Sequence, residues 1–371
     1  MRIKYIVTNY RYIAKYEYGV YNKINAQVDT FRKAGFDCEI DDCKSDYTLV
    51  HKVATRIPFL PDGIRWNSID CGGFDCIYIR RPAFCSYNFI KWLRQTKKRY
   101  PNIRIILEFQ TFPYDAEYYK LYRLPLLLKD ILYRGHLKKY IDRAADLSNH
   151  DMIFGIKTIQ IYNGIDLSSV DVRNPFFAND ALNLLCVAVF NTWHGVDRIL
   201  NGLADYKKQQ GNRRVILHLV GEGQILKELK AQVVHLDLED SVIFYGRMKP
   251  SDIVPLYNSC NMAIASLGLH RIGVLTASTL KTREYLAKGI PFVYSGIIDV
   301  FQEEPTDFCL QVPADDSPIE IQHLIDFNDR LYERDTPQEL AKRIRTYAER
   351  HVSMDAAMAN VVDYFKEECN G

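Results

Sequence analysis

Short apolar runs alternate with helix-spaced segments along this chain, and that alternation limits its possible folds more than any other feature. Ile3 to Thr8 reads as a strand, and a helix is expected from about Val20 to Ala34, with Ile24, Val28 and Phe31 as its apolar positions and Gly35 at its end. Phe36 to Ile40, Asp75 to Ile79 and Ile103 to Glu108 read as further strands, the last two separated by a basic helix, Asn88 to Tyr100. The pattern then starts afresh. Leu182 to Val189, Arg214 to Val220, Ser241 to Tyr245 and Met262 to Ala265 read as strands, with helices at Ile225 to Val234 and Ser251 to Asn258. Strand, helix, strand in series predicts parallel sheets with right-handed crossovers. The restart predicts two doubly wound α/β domains, joined by a polar linker at Ser168 to Asp180 that carries Pro175.

The chain's 371 residues suffice for two such domains. Its composition is 47% hydrophobic and 25% charged, as in ordinary globular proteins, and a formal net charge of +2 is not that of a nucleic-acid binder. Nine cysteines are scattered without a CxxC pair, which predicts reduced thiols in a cytoplasmic protein and no zinc site. Met1 to Thr8 leads directly into a strand without a signal-peptide core, and no run approaches the roughly twenty apolar residues of a membrane span.

The stretch Ser266 to Val293 carries the strongest functional signal. A glycine-punctuated polar segment with Gly268, His270, Arg271 and Gly273 precedes a helix expected from about Ser278 to Lys288. Ser278 or Thr279 serves as N-cap, Gly289 and Pro291 stop the helix, and Ile290 to Tyr294 reads as a buried strand. A loop at a helix N-terminus offers unpaired amides and the positive end of the helix dipole to an anion such as phosphate. Lys281 and Arg283 add charge there, and Glu284 has the acceptors that a ribose diol needs. A solvated amphipathic helix has the same pattern, so the spacing alone does not decide.

These residues resemble the nucleotide-sugar site of family 4 (group 1) retaining glycosyltransferases, with a signature of Glu, seven residues, Glu and an alanine-glycine-proline ending. Glu284 matches the second glutamate, Ala287, Gly289 and Pro291 match the ending, and Thr276 stands where the first glutamate is expected. VGEG ending at Gly223, VIFYGR, a short helix and then Ser266 to Val293 follow in the order of a GT-B donor domain. The YNGID string, Tyr162 to Asp166, resembles that family's turn before the interdomain linker.

The resemblance implies a GT-B fold in which two Rossmann-like domains face a cleft. Residues 1–177 would bind acceptor and 178–352 the sugar nucleotide, with a C-terminal helix, 353–371, returning to the first domain. The donor would meet Gly221, Gly223, Arg271, Thr276, Ala277, Ser278, Thr279, Leu280 and Arg283. The family's diphosphate-neutralising arginine and lysine fall on Val189 or Phe190 and on His194, so His194, Arg271, Lys281 or Arg283 is expected to replace them. His194 would donate a hydrogen bond when neutral or carry charge beside phosphate.

In the first half, EFQTFPYDAEY, Glu108 to Tyr118, is a polar and aromatic loop at a strand's C-terminal end, where open α/β sheets bind ligands. It resembles the corresponding loop of bacterial capsule and exopolysaccharide enzymes. Gly19, Thr111, Tyr114 and Glu117 are expected on the acceptor side and Asp115 among the catalytic residues with His194, Lys281 and Glu284. The leucine-rich basic segment Lys120 to Arg143 reads as one helix that rests on the inner face of an anionic membrane or packs into the core.

The expected activity is transfer of a hexosyl group with retention, without metal or cofactor, from a UDP- or GDP-sugar to a saccharide or lipid-linked acceptor. Two alternatives stand beside it. One is a sugar-nucleotide epimerase of the same fold. The other is an inactive scaffold, which the departures at Thr276 and at the arginine and lysine positions favour.

Overall fold

In a computed structural model, residues 1–371 are described except for 46–47, 119–120, 148–149, 178–179, 275, 303 and 371. The chain divides into two compact units, Met1–Gly164 with Met354–Gly371, and Ile165–Ser353.

The first unit is built on strands β1 (Arg2–Thr8), β2 (Asp37–Cys43), β3 (Cys76–Arg80), β4 (Arg104–Phe109), β5 (Arg143–Asp146), β6 (Met152–Ile153) and β7 (Ile156–Gln160). They form one sheet in the order β2-β1-β3-β4-β5-β7-β6, and only the β6–β7 pair is antiparallel. Helices α1 (Tyr10–Tyr16), α2 (Tyr18–Lys33), α3 (Leu49–Arg56), α4 (Tyr87–Arg99) and α5 (Leu124–Arg134) lie between strands. The central strands are buried on both sides, as parallel crossovers require. Ile77, Ile79, Ile105 and Leu107 face Phe89, Trp92 and Leu93 of α4, while Tyr5, Tyr78 and Ile106 belong with Ile24, Val28 and Phe31 of α2.

The second unit repeats the plan with β8 (Leu182–Val187), β9 (Val215–Val220), β10 (Val242–Gly246), β11 (Met262–Ile264), β13 (Phe292–Ser295) and β15 (Cys309–Val312). These are ordered β10-β9-β8-β11-β13-β15, and all the pairs are parallel. The short strands β12 (Thr276–Ala277) and β14 (Ile297–Ile298) pair separately. Its helices are α6 (Val196–Lys208), α7 (Leu226–His235), α8 (Pro250–Ser259), α9 (Leu280–Lys288), α10 (Ile321–Arg334) and α11 (Pro337–His351). After α11 the chain rejoins the first unit through α12 (Met354–Ala357) and α13 (Ala359–Asn370), whose Met358, Val361 and Phe365 pack with Phe31 and Phe36.

The structure differs from the sequence reading in three places. Residues 10–16, between the expected strand and helix, form α1, because Asn9 adopts a left-handed turn and Asp42 accepts the amide of Tyr10 at 2.8 Å. Gly19, expected on the acceptor side, lies in the first turn of α2, which starts two residues before Val20. The tract after residue 164, expected to complete the first domain up to 177, belongs to the second unit. Its carbonyls are held there by Arg345, which donates to Leu167 and Val170 at 2.8 Å, and buried Arg173 donates to the carbonyls of Cys260 and Gly289. The expected helix from Lys120 to Arg143 is broken: α5 stops at Arg134, a 3-10 turn covers Leu137–Lys139, and β5 begins at Arg143. Residue 120 itself lies outside the described residues.

Gly202 in α6 tests the close packing of the second unit. Alanine in place of a helical glycine normally stabilises by about 1 kcal/mol. Here a Cβ would sit 1.9 Å from the carbonyl oxygen of Ile319, whose own amide is bound to Arg198 O at 3.1 Å. Overpacking of about 1–3 kcal/mol outweighs the propensity gain, so Gly202→Ala is expected to lower the unfolding midpoint in urea. An unchanged or raised midpoint would mean that the Ile319 segment yields.

Candidate functional site

The C-terminal ends of β8 and β11 and the start of α9 bring together most of the polar groups expected to bind donor. Two loops are stitched here by backbone: the amides of Leu267 and Gly268 donate to the carbonyls of His194 and Trp193 at 3.0 and 3.1 Å. Gly195, in the left-handed region at φ 64°, permits the crossing, since a Cβ there would lie 2.8 Å from the Leu267 backbone.

His194 is buried, and the amide of Asn191 donates to its Nδ1 at 3.0 Å. That bond makes Nδ1 an acceptor and leaves the ring proton on Nε2. Burial, and then the neighbouring Lys281 charge, push the imidazole pKa down to about 4. At neutral pH His194 of the empty protein is therefore an uncharged donor.

Lys281 lies in the first turn of α9, capped by Thr279, whose hydroxyl accepts from Thr282 N. The Lys281 ammonium is buried with no hydrogen-bond partner. Burial pushes its pKa down, while Cys186 and Glu284 act in the opposite direction. An unpaired cation beside the unsatisfied amides of a helix start is built to receive an anion. Glu284, one turn further on, is half-buried and accepts from Tyr257 OH at 3.2 Å, which orients its carboxylate. Tyr257, Asn191 and Cys186 are the participants that the sequence reading missed. Asn191 had a local signal, a capping residue three positions before His194, whereas Tyr257 reaches Glu284 only through the fold.

The other expected cations already have partners. Arg271 makes a bidentate pair with Asp197 at 2.9 and 2.7 Å and reaches Asp316 at 2.6 Å. Arg283 is fully buried, binds both oxygens of Asp299 and donates to Ser278 Oγ at 3.0 Å. Both charges brace the loops instead of standing open. Gly221 and Gly223 also serve the backbone. Gly221, at φ +129°, approaches Ala188 so closely that a Cβ would sit 1.9 Å from its oxygen, and Gly223 forms a bridge with Phe190. Thr276 is exposed on β12, Ala277 beside it is buried, and Leu280 is exposed.

In the first unit the expected acceptor-side residues have mixed surroundings. Tyr114 is buried and donates to Asp130 Oδ2 at 2.8 Å beneath Arg81, whose guanidinium lies 3.9 Å from the ring centre. Asp115 is paired with Arg134 at 2.6 Å, and Thr111 is exposed. The side chain of Glu117 lies outside the described residues. Glu108 is fully buried and meets Arg80, Lys23, Tyr78 OH and Gln27. Burial alone would raise its carboxyl, but Lys23 and Arg80 outweigh it and hold it below the usual range.

Residues 171–351, nearly all of the second unit, match the family described as glycosyl transferases group 1. A curated relative, alpha-monoglucosyldiacylglycerol synthase of Streptococcus pneumoniae, is 30% identical over 118 residues, which span 30% of this chain and 24% of that protein. Among solved structures, a glycosyltransferase from Rickettsia africae superposes with a TM-score of 0.61 at 13% identity, covering 100% of this chain and 99% of that one. HepE of Anabaena, solved with UDP, gives 0.56 at 13% identity, covering 99% and 100%. Sucrose-phosphate synthase of Thermosynechococcus elongatus gives 0.57 at 13% identity, covering 100% and 99%. The fold is that of the GT-B glycosyltransferases, with two Rossmann-like domains.

The low His194 pKa has a measurable consequence. An ordinary imidazole takes its proton near pH 6.5 and this one near pH 4, so between those values the unfolded chain binds a proton that the folded chain refuses. Stability therefore falls as pH drops through this window, by about 3 kcal/mol in all from this one group. His194→Asn, whose amide oxygen can replace Nδ1 as acceptor, is expected to show a smaller loss between pH 7 and pH 4.5 in urea titrations than the wild type. Equal losses would mean that His194 protonates freely in the folded protein.

Proposed function

We propose that this chain, whose second unit is of the group 1 glycosyl transferase type, moves a hexosyl group from a nucleotide sugar to a saccharide or lipid-linked saccharide acceptor. The observation that carries the reading is the buried, unpartnered ammonium of Lys281 at the start of α9. A sugar nucleotide's diphosphate supplies the missing negative charge, with the first amides of α9 as further donors. His194 Nε2–H adds a neutral donor. As the bond from sugar to phosphate lengthens, charge grows on the leaving diphosphate, and Lys281 stabilises that charge more than the ground state. Glu284, oriented by Tyr257, accepts from the ribose hydroxyls. The UDP bound by the Anabaena fold neighbour makes uracil the first base to try.

In this reading the transfer proceeds with retention and without metal, the leaving phosphate taking the proton of the incoming hydroxyl on the same face. Asp115 of the first unit would assist on the acceptor side, with a capsule or exopolysaccharide chain as the product class. Thr276 in place of a glutamate leaves the sugar with one carboxylate fewer, and it is the residue that favours an inactive scaffold.

A thermal-shift and hydrolysis panel of UDP- and GDP-sugars, with and without EDTA, tests the reading on the wild type, Glu284→Ala and Lys281→Met. One selective donor is expected, with binding insensitive to EDTA and at least tenfold weaker in both variants. Without donor, Lys281→Met should be more stable than the wild type by about 1–3 kcal/mol, because an unpaired buried charge has gone. No stabilisation by any donor would support the scaffold, and a requirement for metal would overturn the mechanism.

A further inference from the structure

Helix α5 is amphipathic in the reverse sense to a water-facing helix. Its outward stripe is Leu124, Leu128, Ile131 and Leu132, spaced i, i+4, i+7 and i+8, and Leu128 is 56% exposed. Its charged residues point inward: Lys129 and Asp130 are both 0% exposed. A surface helix normally does the opposite. Asp130 is satisfied by the amide of Cys85 at 2.7 Å and by Tyr114 OH. Lys129 reaches across to the end of α3 and donates to the carbonyls of Ala54, Thr55 and Leu60 at 3.3, 3.0 and 2.9 Å.

That lysine ties a second apolar display to the first. Val53, Ile57, Phe59 and Leu60 on α3 and the turn after it are all exposed, Phe59 at 75%. Free packing would have hidden these side chains, and a buried lysine is a costly way to hold them outward. Within the two segments themselves the exposed charges are basic. Residues 49–61 contain no aspartate or glutamate, and the sole acid among residues 121–140 is the buried Asp130. Arg56, Arg123, Lys138 and Lys139 are exposed.

We propose that α3, the turn through Leu60 and the outer face of α5 form one docking surface for an anionic lipid bilayer, with Phe59 and Leu128 entering the boundary between headgroups and acyl chains. Apolar residues rimmed by cations match such a surface on both counts. A symmetric contact with a second copy of the chain would instead set this cationic rim against itself. The stripe on α5 runs for about 12 Å at 1.5 Å per residue, and among the described residues no helix is long and apolar enough to cross a membrane, so the surface lies on the bilayer. The proposal stands on these side chains and does not rest on the transfer reaction.

The test is co-sedimentation of the full chain with vesicles of phosphatidylcholine alone and with about a third phosphatidylglycerol, at low and high salt. The wild type is expected to bind the anionic vesicles at least tenfold more tightly, with the difference shrinking in high salt. The double variant Phe59→Asp/Leu128→Asp should lose at least tenfold while keeping its unfolding midpoint, because both positions are exposed. Lys138→Glu/Lys139→Glu should lose the salt-sensitive part alone. Wild-type binding to neither vesicle, or full binding by the aspartate variant, would overturn the proposal. So would a dimer on size exclusion that dissociates in the aspartate variant without any vesicle binding, which would give the surface to a second copy.

Discussion

A single unneutralised charge, the ammonium of Lys281, governs the end of the second unit's sheet. Everything around it keeps its position fixed while leaving it unpaired. Thr279 caps α9 immediately before it, and Gly289 ends the helix in the left-handed region at φ 73°. Arg283, two residues on, is clamped to Asp299 and to Ser278, so the approach to α9 is tied to the segment after β14. A lysine side chain carries about 2 kcal/mol of rotamer entropy and would turn to water if the helix could shift. The buried ion pair at Arg283 fixes the turn of α9 beside Lys281.

Much of this was readable from the sequence. The βα alternation named both sheets, and the caps Thr279 and Gly289 bounded α9 within two residues. What could not be read was which basic residues were already paired. Arg271 and Arg283 lie within twelve residues of each other on the motif stretch, and either one has the right chemistry for phosphate. Their partners, Asp197, Asp316 and Asp299, lie on other elements, and nothing local connects them. Arg173 and Arg345 are a similar case. They look like solvated charges on a linker and a surface helix, yet both donate to backbone carbonyls of other segments.

The segment from 120 to 143 failed for a related reason. Leucines and basic residues at helical spacing predict one long helix whose leucines rest on a membrane or pack into the core. Hydrophobic periodicity fixes which residues share a face but not which face turns inward when both faces have claims on the core. Here three bonds from Lys129, to Ala54, Thr55 and Leu60, and two to Asp130, from Cys85 and Tyr114, decide the orientation, and these partners all lie outside the helix.

Each unit holds a buried charge, Glu108 on β4 and Lys281 on α9, and the two differ in how far they are compensated. Glu108, at the end of β4, is met by two cations and two neutral donors, and its pKa lies low despite complete burial. Such a site is electrostatically closed, and adding a ligand anion or removing a proton gains nothing there. At Lys281 the charges of Cys186 and Glu284 offset burial only in part, so its pKa is displaced in the direction that burial dictates. Closed charges of the first kind hold elements together, and replacing one partner leaves the other stranded at a cost of several kcal/mol. Open charges of the second kind weaken the empty protein, and a bound anion would offset that cost. By that criterion we place the proposed chemistry at α9, while the cluster at Glu108 ties β3 and β4 to α2.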